Sequence, residues 1–212
     1  MAHCAECQGK YCREGDLTKA PKDCPSLGVT PEETLGRYCG EELEWAREGA
    51  KVEGNNYPNN TRIEEIMDYA HRLGYHKLGL AFCLGLEKEA AVVSRIFRAN
   101  GFEVESVCCK NGAEPKSGLG LMPEDGICPG MMCNPVGQAA VLDGAGCQLN
   151  VILGLCVGHD TLFIRHSQAP VTVLAAKDRA TGHNPLAPVY CADGYFKRVF
   201  EFIKKQEEKE KK

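Results

Sequence analysis

The sequence predicts an α/β fold: a three-layer sandwich with a mainly parallel sheet of about four strands, preceded by a Cys-rich, metal-stapled subdomain. Three observations predict it. From residue 61 onward, short apolar runs alternate with helical patterns, as parallel strands joined by crossover helices require. Residues 1–29 carry four cysteines and little apolar periodicity, so a staple must replace a core there. The length, 212 residues, suits one ordinary domain with a small appendage.

The first helix signal is Thr30-Pro31-Glu32-Glu33, which supplies a capping residue, a proline for the first turn and a Glu that completes a capping box. The helix it opens is expected to reach about Arg47, with residues 49–60 as a Gly/Asn/Pro loop. Thr61 and Glu64 form a second capping box, and Ile63, Ile66, Met67, Ala70 and Leu73 give its helix one apolar stripe. Strands are expected at Lys77–Cys83, Glu103–Cys109, Leu149–Cys156 and Pro170–Ala176. Helices are expected at Leu86–Asn100, from Pro135 to about Leu142, and at Gly158–His166. A long loop, 110–132, holds five Gly and three Pro. A last helix is expected to hold Phe196, Val199, Phe200 and Ile203 on one face, before a frayed charged tail. The expected division is a Cys-rich subdomain and helix over 1–60, an α/β domain over 61–203 and a tail over 204–212.

Composition excludes several classes. The formal net charge of −4 offers no basic footprint, so no nucleic-acid partner is expected. No run approaches the ~20 apolar residues of a membrane span, and the first residues lack a signal-peptide core. A cytoplasmic location is the expectation, and there 13 cysteines read as metal ligands or redox groups rather than as a disulfide framework. The phosphate-binding loop, dinucleotide fingerprint, HExxH, GxSxG and deaminase motifs are all absent.

Cys4-x2-Cys7-x4-Cys12-x11-Cys24 puts four thiols within a short, turn-rich stretch. The CxxC pair can chelate one ion from a tight turn, and the other two complete a shell for zinc or a [4Fe–4S] cluster. His3 is a substitute ligand to consider. A structural purpose is expected, because bound metal supplies the folding free energy the segment lacks.

A second constellation comes from the strands. Cys83, Cys108, Cys109 and Cys156 all fall at strand ends, hence along the carboxyl edge of a parallel sheet, where such folds place their ligands. Cys133 precedes a crossover helix whose N-terminus is expected to face away from that edge, although the long loop before it can carry Cys133 back. Cys83, Cys109, Cys133 and Cys156 are the candidate ligands of a [4Fe–4S] cluster or of zinc. His159 is the candidate acid/base, with Asp160 to orient it. Lys110, Lys177, Arg179 and His183 are expected to line a polar pocket for an anionic or polar ligand.

Several stretches also carry a resemblance. They are Cys4, Cys7, Cys12 and Cys24-Pro25, Arg62-Ile63-Glu64-Glu65-Ile66, Leu78-Gly79-Leu80-Ala81-Phe82-Cys83-Leu84-Gly85-Leu86, Gly101-Phe102-Glu103-Val104, Cys109-Lys110, Met132-Cys133-Asn134-Pro135, Leu153-Gly154-Leu155-Cys156-Val157-Gly158-His159-Asp160 and Ala176-Lys177-Asp178-Arg179 with Gly182-His183-Asn184-Pro185. Together they resemble the small prokaryotic proteins labelled metal-binding protein and grouped as domain of unknown function 1847. The likeness covers nearly the whole chain. It implies metal binding and no reaction, and its pattern places cysteines at Cys83, Cys109, Cys133 and Cys156, the set chosen above from the strand ends. Cys39, Cys108, Cys128, Cys147 and Cys191 fall outside that pattern.

The leading expectation is therefore a protein with two metal sites. The N-terminal site is structural. The sheet-edge site serves electron transfer with a redox partner protein or chemistry on a small-molecule substrate, as an oxidoreductase or lyase. The alternatives are a thiol-dependent enzyme with only a structural zinc, and a non-catalytic metal-stabilised adaptor.

Overall fold

A computed structural model describes residues 4–210, so His3 lies outside the described residues. The chain separates between Tyr57 and Pro58 into two compact units.

The first unit holds three helices: α1 (Tyr11–Glu14), α2 (Pro31–Leu35) and α3 (Gly40–Asn56). The capping box forms as its sequence dictates, with Glu33 N donating to Thr30 Oγ1 at 3.1 Å and Thr30 N to the Glu33 carboxylate at 2.9 Å. The single helix expected to Arg47 is instead two. Gly36 caps α2, and Gly40 turns the chain with a φ of +54°. Beyond it, Glu, Ala, Leu, Arg and Lys outweigh Gly49 and Gly54, so α3 continues through residues expected to be loop. Val52 alone is buried among the described residues of this unit, as a segment without a core should show.

The second unit is the α/β sandwich. Its elements are α4 (Arg62–Arg72), β1 (Lys77–Phe82), α5 (Glu87–Ala99), β2 (Glu103–Cys108), α6 (Pro135–Gly144), β3 (Leu149–Leu153), α7 (His159–His166), β4 (Val171–Ala175), α8 (Ala187–Tyr190) and α9 (Phe202–Glu210). The strands lie in the order β2-β1-β3-β4, and every pairing is parallel. On one face α4 and α5 cover Leu78, Leu80, Val104, Leu149 and Val151. On the other, Ala139 and Leu142 of α6 and Phe163 of α7 cover Ala81 and Ile152. Strand alternation sends apolar groups to both faces, and buried parallel strands need this.

Three details shape the carboxyl edge of the sheet. The ladder ends flush, with Phe82 opposite both Cys108 and Leu153. A register shift at Ile152/Leu153 twists the end of β4 just before Lys177. The long loop is pinched at a neck: Met132 N donates to Glu114 O at 2.8 Å, Lys116 N to Gly130 O at 3.0 Å, and Pro115 bridges Met131.

The C-terminal helix departs from expectation. A short 3₁₀ stretch, Lys197–Glu201, leads into α9, which runs through the charged residues to Glu210. Phe200, Phe202 and Ile203 remain exposed, because no element of this unit covers that stripe among the described residues.

Gly79, in the central strand, is required by close approach. A Cβ there would lie 2.0 Å from Asn150 Oδ1 and 3.0 Å from Leu142 Cδ1. Asn150 is itself fully buried. Gly79→Ala should therefore destabilise the α/β unit by about 1–3 kcal/mol, read as a lower urea midpoint at unchanged slope. A midpoint equal to the parent's would refute the steric argument.

Candidate metal centre

The flush ladder delivers the edge cysteines together. Cys83 follows β1, Cys109 follows β2 and Cys156 lies three residues beyond β3. Cys133 stands at the same edge, its Sγ 4.0 Å from that of Cys109. The expectation that the N-terminus of α6 faces away is wrong for a topological reason. A crossover helix runs antiparallel to its strands, so it starts at their carboxyl edge. Asn134 then locks the junction. Its side chain caps α6 by accepting from Gly137 N at 2.8 Å, and its own N–H donates to Cys109 O at 2.8 Å.

Each of three thiols has its own cation. Lys110 Nζ donates to Cys133 Sγ at 3.4 Å and to Met131 O at 2.6 Å. Arg179 Nη2 donates to Cys156 Sγ at 3.2 Å, and its charge also reaches Cys83 and Cys133. Lys177 acts on the Cys83 thiol and lowers it. Its ammonium sits 3.3 Å from where a Cβ on Gly85 would be, so that glycine keeps the space open. Burial raises the Cys83 thiol, but the Gly85 amide, Lys177 and Cys109 together bring it below its ordinary value.

Cys109 differs. It is buried, has no cation on it among the described residues, and receives the Leu84 N–H at 3.4 Å. Burial first, then the neighbouring Cys133, Cys83 and Cys108, push it up to about 12 despite that amide. Cys147 is likewise pushed up to about 11, chiefly by burial, and lies at the opposite end of the sheet before β3.

The remaining candidates divide. His159 begins α7 beside Cys156, whose carbonyl accepts its N–H at 2.9 Å; the imidazole makes no hydrogen bond among the described residues. Asp160 spends a carboxylate oxygen on Thr161 N at 2.8 Å rather than on His159. His183 Nδ1 accepts the Asp178 N–H at 3.1 Å and so shapes the loop that carries Arg179. Of the residues expected to line a pocket, Lys110 and Arg179 donate to sulfurs at this edge and Lys177 acts on Cys83.

Sequence reasoning missed Gln138. It is fully buried on α6, and its Nε2 donates to Phe82 O at 3.2 Å and Val107 O at 2.7 Å, joining the ends of β1 and β2. A lone amide in the apolar run of Pro135, Ala139 and Leu142 was the available signal.

In the first unit Cys4, Cys7 and Cys24 line one cavity of about 300 Å³, while Cys12 is exposed on α1. Among the described residues, no three or more His, Cys, Asp or Glu side chains are gathered closely enough to hold a metal ion. At the sheet edge Cys109 has Cys133 and Cys83 as sulfur neighbours, and the Cys156 sulfur meets Arg179. The donor set there nevertheless suits a thiophilic metal, being all-thiol and supplied with N–H and cationic partners. A tetrahedral ion with bonds of about 2.3 Å separates its sulfurs by roughly 3.8 Å, close to the Cys109–Cys133 spacing.

Comparison with known sequences gives two findings. The family described as protein of unknown function (DUF1847) matches residues 26–174. The chain is similar to the uncharacterized protein MJ0455 of Methanocaldococcus jannaschii, at 38% identity over 199 residues, which is 93% of this chain and 98% of that protein.

The cation pairing has a direct test. In metal-free protein, Lys177→Met should raise the Cys83 thiol and slow its alkylation by iodoacetamide at pH 8 roughly tenfold. Peptide mass spectrometry reads this, with Cys147 as the unreactive internal reference. Unchanged labelling of Cys83 would sink the pairing.

Proposed function

The chain belongs to the family described as protein of unknown function (DUF1847), and we propose that it is a thiolate metal-centre protein whose working site is the carboxyl edge of its sheet. Cys83, Cys109, Cys133 and Cys156 would hold the centre, and a [4Fe–4S] cluster serving electron transfer or small-molecule chemistry is the form proposed. The observation that carries the reading is that four separate elements end in these thiols at one sheet edge, with Cys109 and Cys133 4.0 Å apart and cations or backbone N–H groups directed at the sulfurs. Hydrogen bonds and nearby charge are the means by which a protein sets the reduction potential of such a centre.

When bound, the cluster supplies one-electron or Lewis-acid chemistry. The chain's own groups do the rest. Lys177, Lys110 and Arg179 offset the charge of the sulfurs, and the Leu84 and Gly85 amides direct lone pairs. His159, at the start of α7 three residues after Cys156, is proposed as the group that exchanges a proton with a substrate. The N-terminal cysteines, Cys4, Cys7, Cys12 and Cys24, are proposed as a structural zinc or cluster site that orders a unit with little core.

A second reading has one observation in its favour. The 4.0 Å Cys109–Cys133 separation also suits a dithiol that cycles to a disulfide.

The test is metal and acid-labile sulfide content, with a visible spectrum, on protein purified without oxygen beside its Cys133→Ala variant. Iron and sulfide that drop in the variant are expected. Zinc that drops in the variant would keep the edge centre and replace the cluster. Metal unchanged by the substitution would remove the edge centre and leave the dithiol reading.

A further inference from the structure

We propose that Gln138 is a positioning residue for the edge site: its carboxamide sets the spacing of Cys83, Cys109 and Cys133. This rests on the metal-centre reading above.

Gln138 is costly where it stands. It is 0% exposed, and its Oε1 makes no hydrogen bond among the described residues. A buried amide with an unsatisfied acceptor is expensive, and a Leu or Met would fill the same space without that cost. The two donors of the amide must therefore matter. Both go to carbonyls, those of Phe82 and Val107, one residue before Cys83 and Cys108. The last pair of the ladder between β1 and β2 is Phe82/Cys108, so the Gln138 amide bonds the two chains at the final rungs before the cysteines. The Phe82 carbonyl also accepts the Cys109 N–H at 2.9 Å. One oxygen thus joins the residue before Cys83, the amide of Cys109 and the side chain of Gln138.

The third cysteine enters through the helix. Gln138 N donates to Asn134 O at 3.0 Å, and Asn134 N to Cys109 O at 2.8 Å. Asn134 directly follows Cys133. Gln138 is therefore fixed to the first turn of α6 at its backbone and to two strand ends at its tip. Cutting the tip leaves the Asn134–Cys109 bond and the apolar packing of α6 in place but removes the side-chain tie to the two strand ends, and the Cys109–Cys133 spacing of 4.0 Å loses that restraint. Ligands displaced by a few tenths of an ångström bind metal more weakly, and loss of an outer partner typically lowers affinity 10–100-fold.

Cobalt(II) is the probe, titrated without oxygen into the metal-free full chain and followed by its thiolate charge-transfer and ligand-field bands. The edge signal is the difference between the parent and Cys133→Ala. In Gln138→Met that signal should shift and titrate at roughly 10–100-fold higher cobalt, while the signal remaining in Cys133→Ala is unaltered. If Gln138→Met reproduces both the bands and the affinity of the parent, with only its metal-free melting temperature lowered, Gln138 is a core residue and the inference falls. Should Gln138→Met fail to fold, Gln138→Asn keeps the amide but shortens its reach, and the same two outcomes apply. Identical spectra for the parent and Cys133→Ala would overturn the metal-centre reading, and this inference with it.

Discussion

The register of β1 is the constraint on which the site depends. This strand is paired on both sides, and Phe82 stands opposite Cys108 on one neighbour and Leu153 on the other. A slip of one residue would turn Leu78 and Leu80 out of one core and Ala81 out of the other. Two buried apolar layers therefore oppose any slip, and the edge cysteines inherit their alignment from that opposition. Gly79 belongs to the same constraint, because only a residue without a side chain lets the Asn150 amide cross the strand there. Strands closed against each other at mid-sheet deliver chain ends that meet at the edge.

At that edge, charge replaces apolar packing as the organising force. Half-buried thiols ionise only where something offsets the charge. Lys110, Lys177 and Arg179 come from loops after two different strands, and each meets a different sulfur. The twist at the end of β4 and the loop closed by His183 and Asp178 aim the last two of these cations. Cys109, with no cation on it among the described residues, is pushed up first by its burial and then by the neighbouring sulfurs. Parallel sheets place ligand sites at this edge because chain ends from several elements converge there.

Much of this is legible in the sequence because it is local. Capping boxes at Thr30 and Thr61, the Asn134 cap and four apolar runs are written in adjacent residues, and strand-end cysteines emerge once the strands are placed. Features that depend on distance in space are not legible in this way. The three cations are visible as residues near the edge, but whether they face a ligand or a sulfur is decided by loop closures of 20 residues or more. The direction of α6 escapes a reading of its own residues, because the crossover topology fixes it. The extension of α3 past Gly49 reflects helix formers outweighing glycine, a sum that a local breaker conceals.

The neck of the long loop has a consequence for how this chain can vary. Residues 117–129 leave and re-enter through a pinch held by Glu114, Lys116, Gly130 and Met132, and Lys110 fastens Met131 on the side toward the cysteines. Cys133 is anchored by Asn134 and the start of α6, not by the excursion that precedes it. Loop-closure entropy changes by only about 0.6 kcal/mol when such a segment doubles in length. The excursion is thus mechanically insulated from the sulfurs, and insertions, deletions or a wholly different sequence can accumulate between Ser117 and Pro129 without disturbing their spacing.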